Sequence, residues 1–169
     1  MGVVTTKSTA ITNRDATPRV LNDPQRIAKP IQEWSALVAV ASGESVGSKK
    51  IVGSVPSNAR VSELLATSAD IGTTTAGDIG LYDTTENGGA VVDVDYFASA
   101  VSFNGGAIDH SDVTHEAGAA GGLYTNDEKM VWEVLGLSAD PQKEYDVVVT
   151  LTGAADAAGT IGMKCRYTQ

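Results

Sequence analysis

The chain has little with which to carry out covalent or redox chemistry. Its one cysteine in 169 residues, Cys165, cannot form an intrachain disulfide, so nothing here calls for an oxidising compartment. Aromatic residues make up only 5% of the chain, which weakens the case for a sugar-stacking groove. Bases are scarce too: 12 Lys and Arg stand against 21 Asp and Glu, a formal net charge of −9. That balance argues against nucleic acid as the main partner, because neutralising phosphates needs clustered cations, and it disfavours anionic membrane surfaces for the same reason. No run approaches the roughly 20 apolar residues that span a bilayer, and the opening MGVVTTKSTA lacks the apolar core of a secretory leader. Gly2 with Thr6 matches a myristoylation pattern that is short and common by chance.

What is present describes a folded body with a different kind of segment in front of it. Apolar content of 42% and charged content of 20% are near globular norms, which excludes wholesale disorder. The 18 glycines, amid many Thr, Ser, Val and Ala, favour short strands joined by tight turns over a helical bundle. Residues 1–33 carry five bases and three acids, a net of +2, whereas residues 34–169 carry seven bases and eighteen acids, a net of −11. Pro18, Pro24 and Pro30 interrupt the first segment, removing backbone donors and fixing φ. Residues 1–33 are therefore expected to form an extended or turned N-terminal arm, able to reach on the order of 100 Å when stretched. A frayed terminus is the bland reading. Against it, the apolar residues Val20, Leu21, Ile27 and Ile31, with the bases Arg14, Arg19, Arg26 and Lys29 among them, suit an arm that orders on an acidic partner surface.

Within residues 34–169 the pattern is strand-like. EWSALVAVAS (33–42) alternates, with Trp34 opening the first strand; KIVGSV (50–55) follows a turn, and SNARVSELLATS (57–68) is read as strand. GDIGLYDT (77–84) puts Ile79 and Leu81 on one face and Tyr82 on the other, before the turn ENGG (86–89). AVVDVDYFASAVSF (90–103) begins as a strand and is expected to pass into a helical turn over 95–101, while residues 104–124 look loop-heavy. TNDEKMVWEVLGL (125–137) is the best helix signal: Thr125 and Glu128 have capping-box spacing, and Gly136 can supply the left-handed residue past its end. EYDVVVTLT (144–152) and TIGMKCRYT (160–168) each present one apolar face, and the glycine-flanked GAADAAG between them suggests a hairpin. The fold class that follows is all-β in the main, an antiparallel sandwich of jelly-roll type with one short helix, closing on a central or near-central strand.

Catalytic or metal-binding constellations do not stand out. His110 and His115 are five apart in DHSDVTHE, not the i, i+4 helical pair of zinc hydrolases, and Ser111 lacks the glycine frame of a nucleophile elbow. Asp93 and Asp95 share a strand face, with Asp83 and Glu86 nearby in sequence, so calcium is a candidate ligand; the twelve-residue calcium loop is absent, and solvent-facing acids are the competing reading. The glycines at 105–106, 118 and 121–122 fit no phosphate-binding frame. Trp34 and Trp132 are flanked by apolar residues and read as core, as does Cys165, a buried thiol. No enzyme, cofactor or metal is expected.

The succession of segments in residues 55–101 (VPSNARVSELLATSADIGTTTAGDIGLYDTTENGGAVVDVDYFASAV) and 130–168 (MVWEVLGLSADPQKEYDVVVTLTGAADAAGTIGMKCRYT) resembles the decoration, or cement, proteins of tailed-bacteriophage heads. The resemblance covers most of residues 34–168 and does not extend to the arm. It implies a non-enzymatic virion structural protein made in the host cytoplasm. Such a protein has a jelly-roll-like body, often trimeric, sits on the outer capsid surface and bridges subunits of the major capsid protein. The alternative is a carbohydrate- or receptor-binding sandwich of a phage fibre, which solvent-exposed Trp or Tyr around a groove would mark.

Overall fold

The structure is a computed structural model and describes residues 6–22, 24, 29–115 and 126–169. The chain divides into two units, residues 1–30 and 31–169.

The first unit contains a helix, α1 (Thr9–Asp15). Ser8 caps it, its hydroxyl accepting from the Ile11 amide at 3.4 Å, and the Asp15 carboxylate receives Lys7 Nζ and Arg14 Nε, each at 2.8 Å. Asn13 and Asn22 hydrogen-bond side chain to side chain at 2.9 Å, and Asn22 Nδ2 reaches the Ala10 carbonyl, so the segment after the helix folds back along it. The helix adds a regular element to a segment expected to be extended or turned. No residue of α1 is buried, so there is no apolar stripe for sequence periodicity to detect.

The second unit holds eight strands: β1 (Gln32–Val40), β2 (Lys49–Pro56), β3 (Arg60–Ser68), β4 (Ala76–Asp83), β5 (Val91–Ser102), β6 (Ile108–Asp112), β7 (Glu144–Leu151) and β8 (Gly159–Thr168). A 3-10 turn covers Thr85–Asn87, and one helical turn, α2, covers Val131–Val134. The strands form two antiparallel four-stranded sheets, ordered β1-β8-β3-β6 and β2-β7-β4-β5. Consecutive strands alternate between the sheets except at β4 and β5, which pair with each other, and this order is the double Greek key of a jelly roll. The expected sandwich is therefore present, and its last strand lies inside its sheet between β1 and β3. The core between the sheets is aliphatic and aromatic, with Leu64, Ile79, Leu81, Phe97, Phe103, Tyr145, Val147, Val149, Leu151 and Ile161 essentially sealed from solvent.

Four local expectations are corrected. Residues 144–168 do not form a hairpin: β7 and β8 belong to different sheets. The connection 153–159 is strapped across the sandwich instead, with the Thr152 and Gly153 amides donating to the Ala76 carbonyl, Ala155 bridging Glu44, and the Asp156 carboxylate accepting the Thr73 amide and hydroxyl. Strands on facing sheets show the same inward alternation as neighbours in one sheet, so alternation alone could not separate the two cases. Residues 95–101 are not helical. They continue β5 through a wide bulge in which four residues, Val94–Phe97, stand against the single Gly80 of β4. The bulge drives Tyr96 and Phe97 into the core edge to face, with ring centroids 4.8 Å apart. The stretch read as loop includes β6, which pairs with β3. Finally, the helix near 125–137 shrinks to α2. Thr125 lies outside the described residues, and it is Glu133 that caps the turn, its carboxylate accepting the Met130 amide at 2.8 Å. Gly136 does take the left-handed conformation after it, at φ 70°.

Candidate functional site

The arm residues singled out by sequence fall in three groups. Arg14 sits on α1 with its guanidinium against Asp15, whose carboxyl is held below the usual range first by Arg14 and then by Lys7; its charge is internally matched. Arg19, Val20, Leu21 and Lys29 are exposed, Leu21 at 85% and Val20 at 49%, and Ile31, just before β1, is 65% exposed. Arg26 and Ile27 lie outside the described residues. Val20 and Leu21 are thus large aliphatic side chains in solvent, next in sequence to the exposed Arg19.

The body carries its polar chemistry in separate places. His110, on β6, faces Asp109 at 2.5 Å, while His115 pairs with Asp127 at 3.2 Å, so the two histidines take different partners. Among the described residues no group of three or more His, Cys, Asp or Glu side chains converges as a metal site. Asp93 and Asp95 do neighbour one another on β5, the Asp95 amide donating to Asp93. Burial, and then the Asp95 side chain, push the Asp93 carboxyl above its ordinary range. Asp83, the third acid of that group in sequence, is instead committed to Lys143 at 2.5 Å.

Both tryptophans are half-buried. Trp34 lies flat over Gly53, where a β-carbon would come within 2.6 Å of the ring, and the Trp132 indole N–H points at Met130 Sδ. No described Trp, Tyr or Phe is solvent-exposed; Tyr124 lies outside the described residues. Cys165 is fully buried, and burial pushes its thiol up to about 12.

On the outer face of the β1-β8-β3-β6 sheet, Glu33 and Glu63 flank Arg166 across three strands, at 2.6 and 2.8 Å. Beside this charged row lies a shallow depression of about 550 Å³ around Leu37, Thr67, His110 and Gly162. Leu37 is 77% exposed. Sequence reading did not mark it, although a leucine at an outward position of an alternating strand was the available signal.

No protein-family model matches this chain, and no curated protein matches it. A solved phage-capsid chain has a similar fold. It belongs to the cyanophage Pam1 capsid asymmetric unit and superposes with a TM-score of 0.53, covering 91% of this chain and 96% of that one. Sequence identity is 14%, so what the two share is the arrangement of the backbone. The likeness runs nearly the whole length of both chains.

Proposed function

We propose that the chain is a non-enzymatic structural protein of a phage virion, one that binds the outer surface of the assembled capsid and stabilises it by bridging major capsid subunits. The observation that carries this reading is the near end-to-end similarity in fold to a chain of a phage capsid, in a body with jelly-roll topology. The N-terminal segment supplies the contact. Arg19, Val20, Leu21 and Lys29 are exposed, as is Ile31 at the start of the second unit, and Arg26 and Ile27 extend the same mixture of cations and apolar residues along the sequence. Capsid lattices repeat one surface many times, so modest contacts at each copy sum to a firm coat, and binding only the assembled lattice stabilises it by linkage. Among the described residues no aromatic side chain is fully exposed, which favours this reading over a carbohydrate-binding sandwich.

Co-sedimentation with undecorated expanded capsids tests this reading. Wild-type chain is expected to pellet saturably and to raise the temperature at which the shells break. The double variant Arg19→Glu, Leu21→Asp is expected to lose binding while its melting temperature stays unchanged. Glycan binding without shell binding, or undiminished binding by the variant, refutes the assignment.

A further inference from the structure

Each sheet of a sandwich ends in strands whose outer backbone groups lack a ladder partner, and soluble proteins protect such edges with charges, prolines, bulges or brevity. Three of the four edges here are protected. β2 carries Lys49, Lys50 and Pro56 and a register break between Ile51 and Gly53. β5 carries Asp93 and Asp95 and three register breaks. β6 is five residues long, with Asp109 and Asp112 and a further break opposite it.

β1 is different. It pairs with β8 over nine residues without a register break, and from Trp34 to Val40 (WSALVAV) it contains no charge, proline or glycine. Among the described residues, no turn, loop or cap hydrogen bond reaches the backbone of residues 32–40. The cover over the core also thins along this edge, although Val40 is sealed and Trp34 packs on Gly53 of β2. Ile161, Met163 and Cys165 on β8 are 0–3% exposed, yet their β1 neighbours in register, Val38, Ala36 and Trp34, are only half-buried. Next to them, Leu37 projects outward at 77% exposure.

We propose that β1 is a self-pairing edge, through which two copies of this chain join antiparallel about a two-fold axis at Leu37. The sequence is complementary to itself in that register. Leu37 of the two copies meet on the outer face, Ser35 faces Ala39, and on the inner face Trp34 faces Val40 and Ala36 faces Val38. Glu33 falls opposite Ala41, so no like charges meet. The uncharged strand suits a second β1 better than the basic arm of a neighbour, which would find no acid between Trp34 and Val40 to pair with. Residues 31–169 hold seven bases and nineteen acids, a net of −12, so the bodies repel at long range. Self-pairing through β1 therefore tightens as salt is added, the opposite of a contact between the basic arm and an acidic surface.

Sedimentation equilibrium of the full-length protein, with no capsid present, tests the pairing separately from capsid binding. A monomer–dimer equilibrium that shifts toward dimer with salt is expected, and Leu37→Lys, which puts two cations face to face at the axis, is expected to raise the dissociation constant by at least about tenfold. Cysteine trapping checks the register. Under a mild oxidant Leu37→Cys should link to itself and Ser35→Cys should link to Ala39→Cys in a mixture, while Ser35→Cys alone should not; the native thiol is buried and stays out of the reaction. A monomer at all concentrations, a trimer, a dimer indifferent to Leu37→Lys, or equal trapping at all three positions overturns the proposal.

Discussion

Gly80 offers the sharpest test of how the β5 bulge is seated. It lies mid-strand on β4, where a β-carbon would come within 2.2 Å of the Asp93 carbonyl oxygen and 2.3 Å of the Val94 carbonyl carbon and oxygen. These are backbone atoms of the bulged segment, so no side-chain rotation relieves the contact, and the bulge must lift by roughly an ångström, which disturbs Tyr96 and Phe97 in the core. Overpacking of a filled interior costs typically 1–3 kcal/mol, and a rigid obstacle places Gly80→Ala at the upper end, about 3 kcal/mol. For a body of this size that corresponds to a fall of about 10 °C in melting temperature. Gly162→Ala is the matched control. Its β-carbon would come within 2.6 Å of the ends of the Leu37 and Thr67 side chains, with the nearest backbone atom, the Ala36 carbonyl oxygen, at an ordinary 3.6 Å, and the exposed Leu37 can swing outward. Its melting temperature is expected to fall by no more than about half as much as that of Gly80→Ala, since only side-chain ends have to give way. Both variants are compared by calorimetry or by denaturant unfolding followed by circular dichroism. If Gly80→Ala melts alongside Gly162→Ala, the bulge does not press on β4 as described and the reasoning fails.

Asp93 predicts a pH dependence of definite sign. Its folded pKa is raised by burial and by Asp95, so the folded state holds this proton more tightly than the unfolded state and stability falls as pH rises from the ordinary value of 3.8 through the raised one. Asp93→Asn should remove that fall and be at least as stable as wild type at neutral pH; identical stability–pH slopes for the two proteins across that window would contradict the assignment. Cys165, with its thiol near 12, has only about one thiolate in 10⁴ at pH 8, so thiol reagents should modify the native protein at the rate at which it opens and the unfolded protein orders of magnitude faster. Rapid stoichiometric labelling of folded protein would show that β8 is not buried as described. Leu64→Ala empties a fully sealed core position and should cost about 2–5 kcal/mol in denaturant unfolding, with an effect under 1 kcal/mol implying a collapsible site.

The alternation of 144–152 and 160–168, the glycine-rich turns and the sparse helix formers made a β-sandwich legible from sequence, because inward and outward positions of a half-buried strand differ in hydrophobicity whatever its neighbour. The same signal misled at 153–159, since an inward face looks alike whether the next strand lies alongside or opposite. Residues 95–101 misled for a related reason: small and aromatic residues fit a helical turn locally, and only Gly80 on another strand makes room for the bulge. The arm's cations and apolar residues could be read directly, but the neutralisation of Arg14 by Asp15 depends on the turn of α1.

Composition and periodicity alone determined that this chain builds strands around one aliphatic core, buries its thiol and separates a basic leading segment from an acidic body; these properties follow from side-chain chemistry and local spacing. Which strands pair, which edges are guarded by breaks in register, and that the long β1 is left at an edge and half-covered were decided only in three dimensions. Hydrogen-bond ladders join residues more than a hundred positions apart, such as Trp34 and Cys165, and no local pattern encodes the partner.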